Sequence, residues 1–133
     1  WMLGQTHRFK ACVCGAPSVD LESQFGTSDI GYIYDRTQYR ARPWDAPEWF
    51  YEHSPVNFTH TATTPTMLVV GESDNRCPVG QAEQLFVSLK NAGCEVEFVR
   101  YPNSSHGFSS AGPAAYREDF LRRTLGWFQE RVN

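Results

Sequence analysis

The sequence predicts an α/β fold in which parallel strands alternate with helices. Three observations carry that prediction. Apolar runs at residues 9–15, 66–71 and 95–101 have strand length. The middle run is apolar on consecutive residues, as expected of a strand covered on both faces. Segments of helical period follow the second and third runs, and strand–helix–strand order makes parallel neighbours through right-handed crossovers.

Residues 1–7 read as the tail of a helix. The run at 9–15, Phe-Lys-Ala-Cys-Val-Cys-Gly, ends in Gly and fits a buried strand. Residues 16–63 are punctuated by Gly, Pro, Ser and Asp, yet carry Phe25, Tyr32, Tyr34, Trp44, Trp49, Phe50 and Tyr51. A loop-rich excursion of this length inside a compact domain points to function. Short helices are expected within it near 18–25 and 46–52. Pro65 opens the strand at 66–71. Pro78 precedes a helix over 79–92, where Ala82, Leu85, Phe86 and Leu89 follow i, i+3, i+4, i+7. Gly93 is its expected stop. A strand over 95–101 ends at Pro102, and a last helix over 113–132 is expected to turn Phe120, Leu121, Leu125, Trp127 and Phe128 toward the core.

A chain of 133 residues is one domain at most. Its hydrophobic fraction of 41% and charged fraction of 20% fit a packed globular protein and argue against disorder. The net charge of −3 argues against a nucleic-acid backbone as partner. No apolar run approaches the roughly 18 residues of a membrane span. The opening Trp1-Met2-Leu3-Gly4 has neither the basic nor the apolar region of a signal peptide, and the true N-terminus is expected upstream. Cys12, Cys14, Cys77 and Cys94 match no zinc spacing. Cys12 and Cys14 alternate in a strand and share a face. All four read as buried reduced thiols, which fits a cytoplasmic compartment.

Asp74 follows the second strand and His106 the third. In open parallel sheets ligands bind beyond the C-terminal ends of strands. An Asp and a His so placed are two parts of a hydrolytic triad, the carboxylate orienting the imidazole that takes a proton from a nucleophile. Gly107 is expected to give the loop freedom to aim the ring. Taken singly, Asp74 also reads as a turn residue in Ser-Asp-Asn. The third part, a Ser in G-x-S-x-G, occurs nowhere in these residues. Ser73 and Ser105 stand near the pair, but neither lies in a strand-to-helix elbow. His7, His53 and His60 are scattered and take no role. A three-stranded sheet would leave an edge exposed, which reads as a missing half.

The block from Thr64 to Leu85, with Glu72-Ser73-Asp74-Asn75-Arg76-Cys77-Pro78 at its centre, resembles the prolyl oligopeptidase family of serine peptidases. So does Val99-Arg100-Tyr101-Pro102-Asn103-Ser104-Ser105-His106-Gly107. Gly26-Thr27-Ser28-Asp29-Ile30-Gly31-Tyr32, Trp44-Asp45-Ala46-Pro47-Glu48 and Ser54-Pro55 place it nearest the acylaminoacyl peptidase branch.

The resemblance implies the C-terminal portion of an α/β-hydrolase fold, parallel strands flanked by helices, over residues 1–133. It implies Asp74 as triad acid, His106 as triad base, and Arg76 as the residue binding a substrate backbone carbonyl. For Arg76 a salt bridge to Glu72 or Asp74 stays open. The nucleophile, the oxyanion donors and a β-propeller are then expected upstream of Trp1, and the missing N-terminal part of the same enzyme becomes a partner. The substrate is a short peptide, and no cofactor or metal is needed. The aromatic segment 25–51 either lines an apolar specificity pocket, or packs the domain or contacts the missing propeller. An esterase of the same fold and a catalytically silent fragment acting by binding or assembly are the competing readings. Without a second chain to supply the Ser, the chain is expected to be inactive; homo-oligomerisation stays open.

Overall fold

A computed structural model describes residues 1–132. Three parallel strands, β1 (Cys12–Gly15), β2 (Thr66–Gly71) and β3 (Val96–Tyr101), lie in the order β1-β2-β3. The register sets Leu68 between Cys14 and Phe98. The class is the predicted α/β, with helices on both faces of the sheet.

Every residue of β2 is buried. Its side chains alternate between two cores, as strand geometry requires. Leu68 joins Leu85, Leu89, Cys94 and Val19 on one face. Met67 and Val69 join Val99, Tyr101, Phe108 and Trp127 on the other. Each such side chain contributes about 1.5–3 kcal/mol of burial free energy. Cys12 and Cys14 share the first face, as their spacing predicts.

The described residues also form six α-helices, α1 (Leu21–Thr27), α2 (Tyr34–Thr37), α3 (Pro47–His53), α4 (Val79–Asn91), α5 (Phe108–Ala111) and α6 (Ala114–Val132), with short 3-10 segments between some of them. Helix α4 buries Ala82, Leu85 and Leu89, and Gly93 ends it at φ +75°, the left-handed conformation glycine tolerates. No helix among the described residues is long and apolar enough to cross a membrane.

The excursion is tied to this frame by a buried amide. Gln81, 2% exposed, accepts from the N–H groups of Val19 (2.8 Å) and Asp20 (2.9 Å). Its Nε2 donates to the Asp20 carbonyl (3.2 Å) and to Ser23 Oγ (2.6 Å). Asp20 then caps α1, its side chain accepting from Glu22 N and Ser23 N. Phe25, Tyr39, Trp49 and Phe50 make a chain of edge and tilted ring contacts. Phe50 and Tyr34 are buried, whereas Tyr32, Trp44 and Tyr51 are exposed. Packing accounts for the first group of rings.

Three expectations are corrected. Residues 1–7 hold only a 3-10 turn, Met2–Gly4, because local bonds from Gly4 N to Trp1 O and from Gln5 N to Met2 O close it. The first strand begins at Cys12. In α6 the core-facing stripe is Tyr116, Phe120 and Trp127. Leu121 (65% exposed), Leu125 (59%) and Phe128 (37%) lie on an adjacent face. Both stripes have helical spacing, so periodicity alone cannot say which one docks.

Candidate active site

The two loops beyond β2 and β3 are bonded to each other by backbone. Glu72 N donates to Tyr101 O (3.0 Å) and Ser73 N to Ser104 O (2.9 Å). Gly71 permits this approach, since a Cβ there would collide with the Ser104 carbonyl. The second loop turns at Asn103, which takes φ 53°. Gly107 has φ −89°, a conformation open to other residues, so the expected glycine freedom is not what aims the ring.

Asp74 has no exposed side-chain surface. A carboxylate so placed needs partners, and it has three. Oδ1 accepts from the backbone N–H of Arg76 (2.9 Å) and Cys77 (2.8 Å). Oδ2 lies 2.9 Å from His106 Nδ1. The two backbone bonds fix the carboxylate plane, and the free oxygen faces the ring. The His106 side chain is 47% exposed, and Nε2 has no hydrogen-bond partner among the described residues. The structure therefore brings Asp74 and His106 together across a separation of 32 residues. In this arrangement Nδ1–H donates to Asp74, leaving Nε2 as the basic nitrogen facing outward.

A pocket of about 220 Å³ borders His106. Gly15 and Ala16 at the end of β1, with Val69, Phe108, Ser109 and Phe120, line the rest. Ala16 has φ 44°, an unfavourable conformation for a residue with a Cβ, and its N–H donates to Val69 O (2.8 Å). Such strain concentrates at functional sites. A separate groove of about 580 Å³ lies along α3, with Phe50 and Tyr51 among carboxylates, and includes neither Asp74, Arg76 nor His106.

Arg76 pairs with neither Glu72 nor Asp74 through its side chain. Glu72 is taken by Arg100 (3.0 Å). The Arg76 guanidinium instead meets Asp29, with Nε 2.7 Å from Oδ1 and Nη2 3.4 Å from Oδ2. The hydrogen bond from Arg76 holds the Asp29 carboxyl below its ordinary range, with smaller help from the charges of Arg76 and His106. The same hydrogen bond raises the Arg76 guanidinium further. The backbone beside it is gripped as well: Asp29 N donates to Asn75 O (2.8 Å), and Gln24 Nε2 (2.7 Å) and Ser28 Oγ (2.8 Å) both donate to Arg76 O. Sequence reading missed Gln24, Ser28 and Asp29. The block Gly26–Tyr32 marked the neighbourhood, but nothing in it specified a partner 47 residues away.

Ser73 sits in the turn after β2 and Ser105 in irregular backbone before His106, and neither lies in a strand-to-helix elbow. His7 bonds Thr63, His53 stacks on Trp49 at 4.1 Å, and His60 bonds the Asn57 carbonyl. No group of three or more His, Cys, Asp or Glu among the described residues could hold a metal ion. All four cysteines are free. Burial raises each thiol, Cys14 to about 11.

Comparison with known proteins agrees with this architecture. Residues 1–133 match the prolyl oligopeptidase family, Peptidase_S9. The chain is 38% identical over 132 residues to the uncharacterized peptidase YuxL of Bacillus subtilis, covering 99% of this chain and 20% of that one. It is 26% identical over 140 residues to the acylamino-acid-releasing enzyme of Mus musculus, covering 98% and 18%. The acylaminoacyl peptidase structure of Pyrococcus horikoshii superposes with a TM-score of 0.92 at 25% identity, covering 98% of this chain and 21% of that one. The chain thus spans about a fifth of the length of these relatives. The sheet and its flanking helices are part of an α/β-hydrolase fold. On the match over its whole length, this chain belongs to the prolyl oligopeptidase family of serine peptidases.

Proposed function

We propose that this chain supplies the acid and base of a serine peptidase of the acylaminoacyl type, acting on short peptides, with the nucleophilic serine outside these 133 residues. The observation that carries the reading is the 2.9 Å bond between buried Asp74 and half-exposed His106 at the C-terminal edge of the sheet. The resemblance to acylaminoacyl peptidases supports the substrate class. The free, protonated cysteines support a reducing, cytoplasmic setting.

The geometry supports the following chemistry. His106 Nε2 takes the proton of the serine hydroxyl as its oxygen attacks the peptide carbonyl. Asp74 holds the ring in the required tautomer and stabilises the imidazolium. The imidazolium then gives its proton to the leaving amine, and the C–N bond breaks to leave an acyl-enzyme. Water repeats the sequence on the ester: Nε2 takes its proton, the acid product leaves, and the proton returns to the serine. Arg76 donates N–H groups to a substrate backbone carbonyl and positions it.

The test uses the protein with its serine-bearing portion, assayed with a blocked peptide amide and a matched ester. Hydrolysis of the amide that falls at least about a thousandfold in His106→Ala supports the reading. Hydrolysis of the ester alone points to the esterase reading. Amide hydrolysis that survives His106→Ala overturns the assignment.

A further inference from the structure

We infer that Asp29 is a positioning and specificity-determining residue, one that turns Arg76 from a cationic anchor into a neutral pair of directed N–H donors. The inference rests on Arg76 contacting substrate, as proposed above.

An exposed ion pair is ordinarily weak and mobile, and the side chains of Arg76 and Asp29 are 43% and 44% exposed. This pair differs because its two backbones are fixed to each other. Asp29 N bonds Asn75 O, and Gln24 and Ser28 both bond the carbonyl of Arg76 itself. The carboxylate is thereby held beside the guanidinium by the excursion and the acid turn, independently of the pair's own attraction. Asp29 occupies Nε and one side of Nη2. Nη1 makes no hydrogen bond among the described residues, so two parallel N–H donors stay free at the Nη1–Nη2 end of the fork, with a third on Nη1 facing away from Asp29.

Two consequences follow. The guanidinium plane is set before substrate arrives, which lowers the ordering cost of binding a carbonyl. The positive charge is also offset, so a substrate carboxylate near Arg76 meets Asp29 as well as the cation. The site accordingly prefers an uncharged backbone carbonyl and discriminates against an acidic side chain or free carboxylate, a repulsive element of specificity. The same turn carries Asp74, so the preference is built next to the catalytic pair.

The test uses the serine-bearing protein and two blocked peptides that differ only in Gln or Glu beside the scissile residue. In Asp29→Asn, the kcat/KM preference for the Gln peptide is expected to shrink by about tenfold or reverse. The change should lie in KM, rising for Gln and falling for Glu, and the Glu peptide should become salt-sensitive. Asp29→Glu, which keeps the charge, should restore much of the preference. An active Asp29→Asn enzyme with the wild-type preference overturns the inference and leaves the reading of Asp74 and His106 standing. A wild type that cleaves neither peptide overturns that reading instead. The inference is then read from equilibrium binding of the same peptides, where an unchanged preference in Asp29→Asn defeats it.

Discussion

Asp74 and His106 share a 2.9 Å hydrogen bond across the boundary between core and solvent, the carboxylate fully sealed and the imidazole half open. The carboxylate is fixed by backbone N–H groups of its own turn, and the ring by a loop bonded to that turn. The carboxylate is thus held where water cannot compete, while His106 Nε2 stays reachable from solvent.

Asp74→Asn should separate catalysis from folding. Asn keeps an oxygen for the N–H groups of Arg76 and Cys77 but presents an NH2 to His106. The ring must then turn the wrong tautomer outward. Stability should change by less than about 2 kcal/mol, while kcat in the serine-bearing protein falls about a thousand- to ten-thousandfold. Thermal unfolding and steady-state kinetics on one preparation decide it.

Gln81→Ala should be costly although its neighbours are unchanged. It strands the N–H groups of Val19 and Asp20 and loosens Ser23. Each orphaned buried donor costs about 1–3 kcal/mol, so a loss of about 2–4 kcal/mol is expected in urea unfolding. A loss below about 0.5 kcal/mol would mean that the excursion is held by other contacts.

The two faces of α6 should respond differently. Trp127→Ala removes a buried ring from the core and should cost about 3–5 kcal/mol. Leu121→Gln and Leu125→Gln, on the exposed face of this chain, should each stay within about 0.5 kcal/mol. Urea denaturation of the three variants is the check, and equal losses would place the wrong stripe against the sheet.

Alkaline pH should unfold the chain through two phenols. Burial, with Tyr34 and Cys77 nearby, pushes Tyr39 up to about 12. Burial, with the hydrogen bond to Asp119, does the same for Tyr101. A group whose folded value is raised above its unfolded value of 10.0 stabilises fully below that value. That contribution is lost as pH rises through about 12. Across this window phenolate absorbance should rise while the unfolding free energy falls, and Tyr39→Phe should flatten the slope of the latter.

The sequence made the sheet readable because its signals were local. Pro65 and the unbroken apolar run delimit β2, and the period of α4 together with Gly93 delimits that helix. The positions of Asp74 and His106 followed from the strand ends, since a parallel sheet gathers its C-terminal loops on one edge. What stayed hidden depends on contacts between distant segments. Two apolar stripes on α6 were equally periodic, and only packing on Phe108 and Val99 selects the one with Trp127. Arg76 had acidic neighbours in sequence, but the fold gives it Asp29 and gives Glu72 to Arg100. Gln24 and Gln81 carry no motif, because a buried amide is identified by the backbone groups it meets.

The most direct test is fluorophosphonate labelling read by denaturing intact mass. It is applied to this chain alone, to the serine-bearing protein, and to that protein with His106→Ala. The account predicts an unlabelled chain, a single adduct on the serine-bearing protein, and its loss in the variant. An adduct on the isolated chain, or labelling indifferent to His106, would contradict it.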